Sequence, residues 1–212
     1  MTRLIFVRHG QSEANFTRSF AGHTDAPLTA LGRAQAASAG EYLRRFRIDL
    51  AYASDLRRAY DTAAIIAAPH GLLPTPTPAF REIFAGEWEG RRFTDLETEY
   101  AADYAVWRGD IGHARPTGGE SVVELGTRIA SAVTRLLRAH EGKTVLIGTH
   151  ATSIRVMECF LRGVPFEEAA RIPWTQNAST TVVEYEAGTP RILLCGYNAY
   201  LGEISTRMPA NV

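Results

Sequence analysis

Leu4-Ile5-Phe6-Val7-Arg8-His9-Gly10 and Val145-Leu146-Ile147-Gly148-Thr149-His150 are two versions of one pattern. Each is a short run of apolar, largely β-branched residues that reads as a buried strand. Each ends abruptly on a histidine, and each is followed by a segment with helical periodicity. Strands alternating with helices in this way point to an α/β fold with a mostly parallel central sheet. In open α/β sheets, ligands bind at the carboxyl ends of the strands. If the two strands are neighbours, His9 and His150 face one crevice.

The rest of the chain fits around this pair. Leu50-Ala51-Tyr52-Ala53 is a weaker strand candidate. Thr181-Val182-Val183 and Arg191-Ile192-Leu193-Leu194 form a late pair, with Gly188 and Pro190 marking the turn between them. Thr29 is placed to cap a helix whose Ala36, Ala39, Leu43 and Phe46 share a face. Asp55 is placed to cap a second helix, running toward Ala68. Ser121 is placed to cap a third, along which Val122, Leu125, Ile129, Val133 and Leu136 make a stripe. A fourth runs from Ala151 to about Gly163, before Pro165. Pro74, Pro76 and Pro78 suggest a stiff connector. The segment from about 87 to 120 reads as an excursion over the sheet, so the expected organisation is one domain over 1–212 carrying an insertion.

The chain has 212 residues, 45% of them apolar and 22% charged, which are ordinary globular values. Lys+Arg 23 balances Asp+Glu 23. A chain of zero net charge has no global field to hold nucleic acid or anionic lipid, so any anion chemistry is local. Two cysteines, Cys159 and Cys195, make neither a disulfide framework nor a zinc spacing. No apolar run approaches the ~20 residues of a membrane helix. These features predict a cytoplasmic protein with neither a nucleic-acid nor a membrane partner.

The candidate chemistry centres on His9 and His150. His70, His113 and His140 lie in loops or polar turns and read as surface residues; His23 reads the same way, although it falls near the expected pocket. Arg8 precedes the first strand-end histidine, and Arg57 and Arg58 follow the Leu50–Ala53 strand. Guanidinium groups bind phosphate through paired hydrogen bonds and stay charged at any working pH. Two arginines and two histidines around one crevice suit a phosphoryl group. Glu82, in the stretch Arg81-Glu82-Ile83-Phe84-Ala85-Gly86-Glu87-Trp88-Glu89-Gly90, is the candidate acid for a leaving alkoxide. The chain has no phosphate-binding glycine loop of the Walker type, no Gly-x-Ser-x-Gly elbow and no cluster of carboxylates for two metals. The expected chemistry therefore uses neither metal nor cofactor.

Six blocks in order carry a resemblance: Arg8-His9-Gly10-Gln11-Ser12-Glu13-Ala14-Asn15; Gly22 and Asp25 leading to Pro27-Leu28-Thr29; Ser54-Asp55-Leu56-Arg57-Arg58-Ala59; Glu82 with Gly86-Glu87-Trp88-Glu89-Gly90; Gly118-Gly119-Glu120-Ser121; and Thr149-His150. The chain resembles the histidine phosphatase (phosphoglycerate-mutase-like) superfamily. The resemblance implies a three-layer α/β/α sandwich in which the 87–120 segment is a helical cap that sets specificity. It implies that His9 becomes phosphohistidine, that Arg8, Arg57 and His150 hold the phosphoryl oxygens, and that Glu82 protonates the leaving group and then activates water. Asn15, Gly22 and Ala151 are implied in substrate binding, although many members have glycine at the Ala151 position. Ala21 lacks a hydroxyl that mutase-type members carry.

Within that family the loop after Glu82 separates two activities. Mutases resemble Glu-Arg-x-Tyr-Gly-x-Leu-x-Gly followed by a lysine, whereas here the tyrosine position is Ala85 and the lysine position is about Phe93. Mutases also carry paired arginines after a cap tryptophan, whereas Trp107-Arg108 is followed by Gly109. The sequence thus favours a metal-independent phosphatase acting on a small phosphorylated metabolite. A bisphosphoglycerate-dependent mutase is the alternative, and an inactive phosphate-binding protein a weaker one. Arg91, Arg92, Arg108 and Arg115 are the candidates for holding a second anionic group. Trp107 and Phe93 are candidates for either a pocket wall or the contact of a homodimer.

Overall fold

A computed structural model describes residues 1–207 and sets the two histidine-terminated strands side by side. The strands are β1 (Thr2–Arg8), β2 (Leu50–Ala53), β3 (Thr75–Pro76), β4 (Thr144–Thr149), β5 (Thr180–Glu186) and β6 (Thr189–Tyr197). They form one sheet in the order β3-β2-β4-β1-β5-β6. β3, β2, β4 and β1 are mutually parallel, and β5 and β6 complete the sheet antiparallel.

Seven α-helices accompany the sheet among the described residues: α1 (Glu13–Thr17), α2 (Ala30–Leu43), α3 (Arg57–Ala67), α4 (Phe93–Glu99), α5 (Ala101–Gly109), α6 (Val122–Ala139) and α7 (Ala151–Arg162). Successive side chains of a strand point to opposite faces. Leu4, Phe6, Val145 and Ile147 accordingly pack with Leu125, Ile129 and Val133 of α6 and Val156 of α7. Ile5, Val7 and Leu146 pack with Ala39 and Leu43 of α2 and Ile66 of α3. Helices on both faces bury β1 from Leu4 and β4 from Val145 onward, which is why those stretches read as apolar runs. Burial of each such side chain contributes about 1.5–3 kcal/mol. The three-layer architecture follows.

Local signals hold at most element ends. Thr29 accepts from the Gly32 amide at 3.0 Å, and Ser121 and Glu124 form a reciprocal capping box at 3.1 and 2.9 Å. Gly163 ends α7 in the left-handed conformation, with φ 65°. Four details differ from expectation. Asp55 does not cap α3; it takes both arms of Arg81 in an ion pair, and Leu56 occupies the cap position. Phe46 lies beyond the end of α2 but still packs, half-buried, on its core. Pro190 lies inside β6, tolerated because β6 is an edge strand, and the turn falls on Ala187 and Gly188. The proline-rich connector contributes a short edge strand, β3, beside β2.

The segment after Glu82 is less polar in structure than in sequence. Its two helices and flanking 3₁₀ turns bury Trp88, Tyr104 and Trp107. Trp88 and Trp107 pack edge-on against Phe20 at 5.5 and 5.0 Å between ring centres. No helix among the described residues is long and apolar enough to cross a membrane.

Candidate active site

Strand register brings the two histidines together. Arg8 pairs with Thr149 across β1 and β4, so the next residue of each strand, His9 and His150, leaves the sheet at the same level. The His9 amide donates to Thr149 O at 3.0 Å, and the two imidazole rings meet edge-on with centres 5.2 Å apart. Nδ1 of His9 lies 2.7 Å from the Gly10 carbonyl oxygen. A carbonyl can only accept, so Nδ1 carries the hydrogen and Nε2 keeps its lone pair. Burial, reinforced by the Arg58 and Arg8 guanidinium groups, holds the His9 pKa well below the usual imidazole value. The ring is a neutral, oriented nucleophile at neutral pH.

His150 is fully buried, its Nε2 2.8 Å from the Ser54 hydroxyl. Its Nδ1 is buried without a hydrogen-bond partner. Desolvation and then Arg58 lower its pKa as well, so it too is neutral. If Ser54 donates to Nε2, the unpartnered Nδ1 carries the hydrogen and can donate to an anion.

Two arginines stand beside this pair, but they are Arg8 and Arg58. Arg8 is 2% exposed and donates to Thr175 O at 2.5 Å. Arg58 is 1% exposed and donates to Thr24 O and Gly22 O at 2.8 and 2.7 Å. Burial lowers both pKa values to about 10, so both remain cationic at neutral pH. Arg57, the arginine expected to turn inward, is exposed; only its backbone amide is engaged, donating to Asp25. The orientation of α3 decides between the two neighbours. A Cβ on Gly148 of β4 would sit 2.7 Å from the Ala63 methyl carbon and 2.9 Å from Ala59 O. α3 therefore lies directly on β4 with Ala59 and Ala63 inward, and Arg58 shares that side. The acceptor loop is fixed in turn: Glu89 takes the amides of His23 at 2.7 Å and Thr24 at 2.6 Å. Gly22 has φ +46°, and a Cβ there would collide with the same carboxylate.

Glu82 is half-buried at the edge of the same cleft. Its Oε1 accepts from the Ile83 amide at 3.0 Å and its Oε2 from the Thr152 amide of α7 at 3.1 Å. Arg128 holds the backbone beneath it, donating to Ala79 O, Arg81 O and Glu82 O while pairing with Glu120. His23 Nε2 is 2.9 Å from the same Glu82 carbonyl. Asn15 serves α1 and the cleft together. Its Oδ1 accepts from the Ser12 amide and from Asn177 Nδ2, at 3.1 and 3.2 Å, and Asn177 also donates to His9 O.

These groups line a cleft of about 460 Å³. Arg8, His9, Asn15, Gly22, Arg58, Glu82, Ala151 and Thr152 all contribute to its surface, while His150 sits packed against His9. Phe93 and Trp107 are buried and form part of the cleft wall. Arg91, Arg108 and Arg115 lie outside it, paired with Glu99, Glu97 and Glu124, and Arg92, bridged through its backbone to Ser19, is exposed and does not line it. Sequence reasoning missed Arg58, Asn177 and Arg128. For Arg58 a signal existed: Arg58, Thr62 and Ile66 repeat at helical spacing and all are buried. Asn177 and Arg128 stand in no local pattern. Chemically, the cleft presents a neutral imidazole lone pair, two guanidinium groups and a carboxyl group to one small volume. That set suits a phosphoryl group.

Residues 4–198 match the histidine phosphatase superfamily (branch 1). This chain belongs to that superfamily. It is 33% identical over 165 residues to the adenosylcobalamin/alpha-ribazole phosphatase of Escherichia coli, covering 78% of this chain and 81% of the relative. It is 30% identical over 206 residues to phosphoserine phosphatase 1 of Hydrogenobacter thermophilus, covering 96% of each. The structure of a mycobacterial glucosyl-3-phosphoglycerate phosphatase in complex with VO3 superposes with a TM-score of 0.83 at 30% identity, covering 90% of this chain and 96% of that one. The α/β sandwich read from the two strand-end histidines is the fold of this histidine phosphatase superfamily.

Proposed function

We propose that this histidine phosphatase hydrolyses phosphate monoesters of small metabolites through a phosphohistidine at His9. The observation that carries the proposal is the His9 ring: Nδ1 donates to Gly10 O at 2.7 Å, leaving Nε2 as a lone pair beside two buried guanidinium groups. In the first step Nε2 attacks phosphorus and the bond from phosphorus to the ester oxygen breaks. The Glu82 carboxyl gives its proton to the departing alkoxide. The hydrogen bond to Gly10 O stabilises the positive charge that the phosphorylated imidazole acquires. Arg8, Arg58 and Nδ1 of His150 neutralise charge on the non-bridging oxygens. In the second step the Glu82 carboxylate takes a proton from water, whose oxygen attacks phosphorus. The bond from phosphorus to Nε2 breaks, the lone pair returns to His9, inorganic phosphate leaves, and Glu82 is again protonated.

A phosphatase accords better with the cleft than a mutase does. The groups by which mutases are recognised are missing from the cleft: the positions of the mutase tyrosine and lysine hold Ala85 and Phe93, and Arg91, Arg108 and Arg115 are neutralised outside it. The relatives reported above carry phosphatase names. The helical segment at 87–120 supplies Phe93 and Trp107 to the wall, which supports its role as a specificity cap. The test is hydrolysis of p-nitrophenyl phosphate in excess chelator, in parallel with 3-phosphoglycerate with and without 2,3-bisphosphoglycerate. Phosphate release without isomerisation is expected; bisphosphoglycerate-dependent isomerisation would replace this reading with the mutase.

A further inference from the structure

The charged residues lining the cleft are Arg8, Arg58, Arg18, Arg207 and Glu82. In a chain of zero net charge, this is four guanidinium groups against one carboxylate. Arg8 and Arg58 lie buried at the base beside His9 and are accounted for by the phosphoryl group. Arg18 and Arg207 are exposed at the mouth, and neither forms an ion pair among the described residues. Arg18 is held by its backbone, and Arg207 adjoins a residue anchored to the site. Arg18 caps α1 in the left-handed region at φ 56°, and its carbonyl accepts from the Phe93 amide at 3.1 Å. A non-glycine residue in that conformation carries strain, and such strain concentrates at ligand-binding positions. Arg207 follows Thr206, whose hydroxyl donates to Asn177 Oδ1 at 3.0 Å, the same asparagine that donates to His9 O. The cleft wall is largely aromatic, with Phe20, Phe93 and Trp107 buried, Trp174 half-buried and Phe16 exposed at the rim. Arg155 stacks on Trp174 at 4.1 Å, fixing that side of the wall.

We propose that Arg18 and Arg207 form a second anion subsite, and that the preferred substrate is a phosphate monoester whose alcohol carries a distal carboxylate or phosphate beyond an apolar spacer. This rests on the phosphatase reading of the cleft. The scissile phosphate occupies the base, the spacer lies along the aromatic wall, and the distal anion reaches the two guanidinium groups at the mouth. The subsite uses none of the cations singled out in the sequence: Arg91, Arg108 and Arg115 are paired with glutamates, and Arg92 does not line the cleft.

The test is steady-state kinetics on phosphorylated ω-hydroxy acids of graded chain length. Each is compared with its amide, an uncharged isostere with the same leaving group, and with the corresponding ω-phosphonate. At one chain length the wild type is expected to prefer an anion over the amide by about tenfold in kcat/KM, the worth of one good charge-assisted hydrogen bond. Whether the carboxylate or the phosphonate shows the larger ratio identifies the distal group. In Arg18→Gln/Arg207→Gln that ratio is expected to fall to about one. Arg18→Gly is expected to lose part of the ratio while raising Tm by about 2–4 °C, because glycine releases the backbone strain. This second variant separates a lost contact from a lost fold. Turnover of the amides with no anion preference at any length, or a ratio unchanged in the double variant, overturns the subsite and leaves the phosphatase standing. Absence of turnover of every ester by the wild type overturns both.

Discussion

Arg57 and Arg58 are adjacent in sequence and opposite in environment, so replacing each by alanine gives a sharp test of the site. Arg58 is 1% exposed and satisfies Gly22 O and Thr24 O. Its removal strands the buried Gly22 carbonyl, whereas Thr24 is exposed and can recruit water. An orphaned buried acceptor costs about 1–3 kcal/mol, which for a chain of this size lowers Tm by about 2–12 °C. The same side chain neutralises phosphoryl charge, and removing one preorganised donor from a transition state costs about 10²–10³ in rate. Arg58→Ala is therefore expected to fold, melt earlier and lose at least a hundredfold in kcat. Arg57→Ala removes an exposed side chain whose backbone amide still bonds Asp25, so its stability should change by less than about 0.5 kcal/mol and its kcat/KM by less than about twofold. Circular dichroism, thermal melts and p-nitrophenyl phosphate turnover measure all of this. Equal damage from the two variants, or near-normal turnover by a folded Arg58→Ala, would refute the placement of α3.

Three further outcomes follow from the same geometry. His9 and His150 are held neutral below the usual imidazole pKa, so below about pH 6.5 the unfolded chain binds two protons that the folded chain does not, and stability falls with pH. Urea titrations should find the protein less stable near pH 5.5 than near pH 8, by at most about 3 kcal/mol from these two groups, the limit in which neither is protonated in the folded chain. His9→Asn should remove about half of that dependence, and an unchanged slope would contradict the assignment. Glu82→Gln should slow alkyl phosphates by about 10²–10⁴ and p-nitrophenyl phosphate far less, since only the poor leaving group needs its proton; equal losses would remove Glu82 from the role. Gly148→Ala would force a methyl to 2.7 Å from the Ala63 methyl carbon. It should cost about 1–3 kcal/mol in denaturant titrations and lower turnover by displacing α3 with Arg58, whereas a neutral effect would mean that the contact yields freely.

What the sequence discloses and what it withholds divide along a physical line. Strands buried on both faces must be apolar throughout, and the polar residues that interrupt them must lie at their ends, so β1, β4 and the histidine pair could be read locally. Ser121 with Glu124 and Thr29 with Gly32 are likewise self-contained signals. The inward arginine depends on how α3 lies on β4, a contact between Gly148 and Ala59/Ala63 far apart in the chain. The helical repeat of Arg58, Thr62 and Ile66 carried that information but competed with a resemblance that favoured Arg57. Asp55 looked like a cap because its partner Arg81 is twenty-six positions away. Trp88 and Trp107 sit in a polar-looking stretch, and their burial comes from a mutual cluster with Phe20 that no period of the sequence announces. The mouth arginines are legible only once the 18–22 loop and the chain at 204–207 have come to one cleft.

The most direct test of the account is rapid acid-free quenching of the protein with radiolabelled p-nitrophenyl phosphate in excess chelator, followed by mapping of the bound label. The account predicts one acid-labile, base-stable phosphoryl group per chain on Nε2 of His9, absent in His9→Ala. Label on any other residue, or full turnover with no phosphoenzyme at any time point, would contradict it.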